Sequence, residues 1–446
     1  MFMMRVILLL VGCVAAFSTF AENWGQWRGP FFNGSTTEKG LPADWSKEQN
    51  IAWTLDMAGP SASTPVVWGD RVYVSSTDSA AKSLLAICID RRSGKVLWQN
   101  KVADGYGRDE KSNYSSPSPA TDGTRVIFFY GSGDLAAFEC ATGNKLWARN
   151  LQKEYGDFAF QWTFSTSPLL YNGKLYMQVL QRDVPVGGRG SRDKPNESYL
   201  LALNPATGEE LWRVIRPSEA VAESREAFST PVAFEQNGRK EILIAGGDCL
   251  SGADPETGKE LWRWGTWNPT KIGHWRLVPS PVAGGGVVLA CAPKGDPIYA
   301  VKAGGSGTLD DSAIAWKSER QSKVSSDVPT PAFYDGDFFV LADGRRALSR
   351  VEPKTGKVKW SVETPGRAKY EASPSAADGK IYLINFAGEV TVVDAAKGEV
   401  LKTIPMADEG ENMIRSCVAI SQGQLFIRTN KRLYCVGKKE AVASLR

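Results

Sequence analysis

The sequence predicts an all-β chain folded as an eight-bladed β-propeller of four-stranded antiparallel blades. Three observations predict it. A Thr/Ser-Gly turn followed by a tryptophan recurs along the chain, a Ser/Thr-Pro step precedes each recurrence, and a lone N-terminal strand matches a strand missing from the last repeat. Composition agrees: the 446 residues include 44 glycines, 24 prolines and 15 tryptophans. No segment beyond the N-terminus carries a long helical apolar stripe, so the chain reads as many short strands joined by tight turns.

From the N-terminus, Arg5, the apolar run Val6 to Phe17 and Ser18-Thr19-Phe20-Ala21 form a secretory signal pattern with cleavage expected before Glu22. Residues 1–21 are assigned to a signal peptide, 22–49 to an N-terminal extension, 50–439 to the propeller and 440–446 to a C-terminal tail. A competing reading takes Leu10-Val11-Gly12-Cys13 as a lipoprotein box with lipid on Cys13, although the residues after Cys13 stay apolar. The apolar run is shorter than the roughly 20 residues of a membrane span. The expected location is periplasmic or secreted, with membrane attachment only through a lipidated Cys13.

The 53 basic and 49 acidic residues nearly balance, which leaves no electrostatic case for a nucleic-acid partner. Beyond Ala21 the cysteines are Cys88, Cys140, Cys249, Cys291, Cys417 and Cys435. None is in a Cys-x-x-Cys pair, and buried free thiols are expected, with one or two bridges still open in an oxidising compartment.

The repeat is explicit. The Thr/Ser-Gly turns lead into Trp98, Trp147, Trp212, Trp262 and Trp360; a sixth copy with an expanded turn ends at Trp316, and a seventh, Asp394 to Leu401, has lost its tryptophan. Before them stand Thr64-Pro65, Ser116-Pro117, Ser167-Pro168, Thr230-Pro231, Ser280-Pro281, Thr330-Pro331 and Ser373-Pro374, with Cys417-Val418 in the eighth position. Asp/Asn-Gly turns such as Asp122-Gly123 and Asp378-Gly379 lie between, so each unit is a four-stranded meander. The turn glycine supplies the positive φ of a tight hairpin, and proline opens a strand where its missing N–H is tolerated. Each tryptophan offers a flat apolar face to the next unit, contributing on the order of 2–3 kcal/mol when buried. One sheet cannot bury both faces alone, so blades stack and ring closure protects their edges. The last unit, Cys417 to Lys438, stops one strand short, whereas Asn50 to Leu55 is an orphan strand containing Trp53. This strand is expected to complete blade eight and to bring Trp53 into the same docking series.

The run Ala202-Leu203-Asn204-Pro205-Ala206-Thr207-Gly208-Glu209-Glu210-Leu211-Trp212 resembles the tryptophan-docking motif of the PQQ-like propeller family, which includes quinoprotein alcohol dehydrogenases and the outer-membrane assembly lipoprotein BamB. The resemblance spans about residues 50 to 439. Gln26-Trp27-Arg28-Gly29-Pro30 also resembles the start of secreted bacterial members. The resemblance implies the fold and leaves activity open, since one propeller serves enzymes and scaffolds alike. Enzymatic members use pyrroloquinoline quinone (PQQ) with calcium and typically show an adjacent Cys-Cys pair and often a Cys-x-x-Cys-His haem domain. This sequence has neither, and the calcium ligands cannot be placed on it. The expectation is a non-catalytic, monomeric binding or scaffold module for a protein, peptide or cell-envelope polymer, with no cofactor. The alternative is a PQQ- and calcium-dependent dehydrogenase; a carbohydrate-active propeller would need two carboxylates suitably spaced at the channel mouth.

Independent chemistry is sparse. His274 is the single histidine, which excludes a histidine metal cluster, and Gly187-Gly188-Arg189-Gly190 lacks the spacing and Lys-Ser/Thr of a phosphate loop. Residues just before each Ser/Thr-Pro should share one mouth of the central channel, because the first strand of each blade is the innermost. Those candidates are Tyr114, Trp162, Arg225, Glu226, His274, Trp275, Arg276, Asp327, Lys369, Tyr370, Glu371 and Arg415, a mixture of aromatics and opposite charges suited to a ligand or peptide. The insertion Gln181 to Ser198 is expected between two strands of blade three, as a docking or mobile loop.

Overall fold

The computed structural model describes residues 22–107 and 109–439; the expected signal peptide, Cys13 and the tail 440–446 lie outside the described residues. Eight sheets surround a channel, each with its first strand innermost. The inner strands are Val66–Trp68, Ala120–Thr121, Leu169–Tyr171, Val232–Gln236, Val282–Gly284, Ala332–Tyr334, Ser375–Ala377 and Ala419–Ser421. The middle strands are buried almost throughout, as in Phe338 to Leu341, because both faces of each blade are covered by neighbours.

The ring closes through Ile51–Asp56, which runs antiparallel to Arg432–Val436 with Trp53 opposite Cys435 and Leu55 opposite Leu433. The two ends of the described chain thus share blade eight.

Tryptophan docking explains why the turn residue is glycine. A Cβ on Gly94 would sit 2.7 Å from the Trp53 ring; on Gly143, 2.6 Å from Trp98; on Gly208, 2.6 Å from Trp147. The same contact joins Gly258 to Trp212, Gly356 to Trp316 and Gly398 to Trp360. Most of these indoles also donate to a carbonyl of the next blade: Trp147 to Pro205 at 3.0 Å and Trp316 to Pro353 at 2.7 Å. Trp262 departs from the expected pattern. Its Nε1 donates 2.6 Å to Glu241 within its own blade, because the next turn is expanded and brings no glycine over the ring. That expanded segment instead lays a fifth strand, Gly307–Leu309, parallel to the outer strand Glu260–Trp264 of blade four, covering an edge that the other blades leave open.

A second device runs around the channel. The Thr64 N–H donates to Ser118 Oγ at 2.9 Å, Ser118 N–H to Ser167 Oγ at 3.0 Å, and Ser167 N–H to Thr230 Oγ1 at 3.1 Å. Thr230, Ser280 and Thr330 continue the chain to Ser373, each amide reaching the next blade's hydroxyl. Cys417 N–H makes the same kind of bond to Thr64 Oγ1 at 3.3 Å, joining blade eight to blade one. This corrects the expected register of blade two. The strand-opening step is Ser118-Pro119; Ser116-Pro117 lies two residues upstream in the loop, and two tandem Ser-Pro steps cannot be distinguished until the ring selects one.

The six described cysteines are buried and unbridged. Among the described residues no helix is long and apolar enough to cross a membrane.

Candidate functional site

The Ser/Thr-Pro ends of the inner strands define the upper mouth, and the opposite end of the channel is closed. Residues 22–41 cross the lower face as a strap. Trp24 bridges Val67 in blade one, Thr121 N–H donates 2.8 Å to the Gly25 carbonyl, and Gln26 exchanges two hydrogen bonds with the Leu170 backbone of blade three. On the far side Phe333 N–H reaches Asn33 O at 3.0 Å, Ala376 N–H reaches Gly34 O at 2.8 Å, and Gly423 N–H reaches Glu38 Oε2 at 2.8 Å. The strap therefore ties blades one, two, three, six, seven and eight together beneath the pore.

From the strap Arg28 enters the channel, 2% exposed, and donates 2.8 Å to both the Pro331 and Pro374 carbonyls. Its guanidinium carbon lies 5.7 Å from the centroid of Trp27, whose ring lines the cavity above. The result is a blind cavity of about 280 Å³ with Trp27 and the Ser/Thr hydroxyls toward its base and charged side chains toward its rim.

Of the twelve mouth candidates, Trp162, Arg276, Asp327, Lys369, Glu371 and Arg415 line this cavity, and Tyr114 lines an adjoining groove that shares Trp162. Arg415 pairs with Glu371 at 2.8 Å and lies over the Phe386 ring at 4.5 Å. Arg276 faces Glu223 at 3.7 Å. Asp327 accepts the Lys294 amide at 3.0 Å. Lys369 has no acidic partner among the described residues.

The other five candidates do not join this cavity. Trp275 is 4% exposed, packs at right angles on Trp267 and donates 2.8 Å to Asp296. Tyr370 is buried, its hydroxyl bonded to Thr391 and to the Pro365 carbonyl. Glu226 is fully buried and gripped by Arg182 of the insertion, while Arg225 holds the carbonyls of Ser218 and Ala220. His274 is exposed outside the cavity lining. Neighbours in an extended loop alternate sides, so Lys369 and Glu371 reach the mouth while Tyr370 between them turns into the core. The insertion, expected as a docking or mobile segment, lies where predicted between Lys174–Val179 and Tyr199–Leu203. It is anchored by Arg182 on Glu226 and by Gln181, which accepts from Ala159 N–H at 2.8 Å and donates to Glu197 O at 2.8 Å.

Sequence reasoning missed Trp27, Arg28 and Lys111, which lies 5.5 Å over the Trp162 ring. Gln26 to Pro30 was set apart by its position outside every repeat and by its resemblance to the start of secreted family members, and neither signal points to a site.

Asp343, behind Asp327, accepts the Asp327 amide at 3.0 Å, and burial raises its pKa to about 6, with the Asp327 and Glu371 charges adding to the effect. Unfolded, it ionises near pH 4. Between about pH 4 and pH 6 the unfolded state therefore loses its proton first, and stability falls as pH rises through that window. Asp343→Asn keeps an acceptor for the Asp327 amide and removes the ionisation. Denaturation midpoints should show a gain of about 1–3 kcal/mol at pH 7.5 and little at pH 4; an equal change at both would refute this assignment.

The ring and its blind, charged cavity define the molecule as a PQQ-like β-propeller. The chain belongs to the family described as outer membrane protein assembly factor BamB, whose model matches residues 35–184, 196–302 and 250–446. It is 22% identical over 458 residues to a polyvinylalcohol dehydrogenase of Sphingopyxis sp. (strain 113P3), covering 85% of this chain and 66% of that one. Across five curated relatives, all named as dehydrogenases, the chain spans between 27% and 66% of their length. Among solved structures, quinohemoprotein alcohol dehydrogenase from Comamonas testosteroni matches with a TM-score of 0.63 at 14% identity, covering 95% of this chain and 82% of that one. BamB from Moraxella catarrhalis matches with a TM-score of 0.56 at 13% identity, covering 87% and 99%. These structural likenesses establish the fold.

The quinone and metal implied by the dehydrogenase relatives can be set against the residues present. The cations of the cavity suit an anionic quinone. The metal donor set does not fit: the carboxylates lining the cavity are Asp327 and Glu371, Glu371 is already held by Arg415, and no group of three or more His, Cys, Asp or Glu among the described residues is placed to bind an ion.

Proposed function

We propose that this chain is a non-catalytic extracytoplasmic binding propeller that takes a protein or peptide segment at its upper mouth. The observation that carries this reading is the strap of residues 22–41, which closes the lower end of the channel and leaves one blind cavity, rimmed by charges and floored by Trp27. Such a cavity holds a ligand that enters and leaves by the same opening. The likeness to BamB, a family described by its part in outer-membrane assembly, agrees with a partner in the cell envelope.

The competing reading, a PQQ- and calcium-dependent dehydrogenase, meets a donor set that does not fit the metal. The two separate in one experiment. After incubation with PQQ and calcium and removal of free cofactor, the binding module retains no quinone absorbance and shows no dye-linked oxidation of alcohols or polyvinyl alcohol. Stoichiometric quinone retention with turnover would overturn the proposal.

A further inference from the structure

The central cavity is the middle of a longer depression. On one side it shares Trp162 and Thr163 with a groove between blades two and three, and on the other it shares Lys111, Ser112, Ser116 and Arg415 with a groove reaching blades eight and one. The three form a trough across the upper face.

Its charge is unbalanced from beneath. Arg28, under the central floor, is hydrogen-bonded to carbonyl oxygens and has no carboxylate partner among the described residues. Arg428, 1% exposed, is bonded likewise to the Ser75 and Gly59 carbonyls and to Ser76 Oγ, and Gly59 lines the blade-eight arm of the trough. Burial lowers their pKa values to about 10 and about 9 respectively, so both remain cations at neutral pH, desolvated and uncompensated. Lys111 and Lys369 add two surface ammonium groups without acidic partners among the described residues. The trough's own acids are largely occupied. Glu371 is paired with Arg415. Asp327 accepts the Lys294 amide, Asp109 accepts from Thr163 N–H and Oγ1–H, and Glu411 accepts the Lys431 and Asp408 amides, these three keeping their charge but with acceptor sites engaged. Glu110 and Asp157 are exposed.

We infer that the trough binds an extended acidic polypeptide segment, with its carboxylates over Arg28, Lys111 and Lys369. The inference rests on the binding-propeller reading and names its ligand class. An acidic polysaccharide, whose sugar rings seat on open aromatic faces, is less favoured: Phe158, Phe160 and Phe164 are buried and Lys111 covers the Trp162 ring, which leaves Trp27 on the central floor and Tyr114 in one arm. Charges in a concave site with low-dielectric walls focus potential on an incoming anion, so recognition should weaken with salt.

The test uses the mature chain and tryptophan fluorescence to follow titration with capped hexaglutamate, capped hexaglutamine and oligogalacturonate. Expected is hexaglutamate binding at least about tenfold tighter than hexaglutamine and falling with added salt, with a further loss of about tenfold or more in Lys111→Glu/Lys369→Glu. Both lysines are exposed, so the variant should keep its melting temperature; Lys111→Ala/Lys369→Ala, with a smaller loss, is the substitute if it does not. Equal affinity for the two peptides, oligogalacturonate binding as tight as hexaglutamate, or unchanged binding by a folded variant would each overturn the inference. Cofactor reconstitution decides the binding-module reading separately, so failure of the peptide series alone leaves that reading standing.

Discussion

Trp53→Ala should lower stability by about 3–5 kcal/mol, the range for emptying a large aromatic site in a packed core. Trp53 is 7% exposed, donates 2.6 Å to the Arg91 carbonyl of blade one, covers Gly94, and sits 6.2 Å from the Phe426 ring of its own blade. The substitution removes the indole, leaves that carbonyl without its donor, and weakens the one blade whose strands come from both ends of the described chain. Trp316→Ala is the control, since it docks in the same way but in a blade built from contiguous chain. Denaturant titration should place Trp53→Ala below Trp316→Ala. Hydrogen exchange should show the excess as lost protection in Arg432–Val436, and equal destabilisation with no local opening would contradict a closure role for Trp53.

Gly34→Val should release the strap, with a loss of about 2–5 kcal/mol from backbone strain and overpacking together. Gly34 has φ +83°, and a Cβ there would lie 1.9 Å from Arg28 Nη2. Arg28 cannot retreat, because Pro331 and Pro374 hold it on the channel wall. Limited proteolysis should then cut within residues 22–41 while the blades persist, and hexaglutamate affinity should fall as Arg28 and Trp27 leave the cavity. A variant resistant to proteolysis and stable as the parent would mean that the strap tolerates the side chain and that the close approach is not a constraint.

The repeat was readable because each device occurs several times. A glycine that must lie under an indole, or a proline that opens an inner strand, leaves the same residue types at a regular spacing, and agreement among copies outweighs the irregular ones. Trp262 was misread for the same reason, since a periodic pattern assigns every member one role. The mouth was legible only in part. The strand order placed the right loops together, yet Glu226, Trp275 and Tyr370 turn inward beside Arg276, Lys369 and Glu371, which side-chain alternation alone decides.

What the sequence determined by itself is the ring: the number of blades, their meander order and the closing strand, because these follow from local turn chemistry and from apolar faces that only a neighbouring blade can bury. Tertiary structure alone decided that the ring is sealed at one end, which serine opens blade two, and which loop side chains meet. Those features depend on contacts between different blades, from Ser118 with Ser167, 49 residues apart, to Arg28 with Pro374, 346 apart, and a contact made once leaves no periodic trace in the chain.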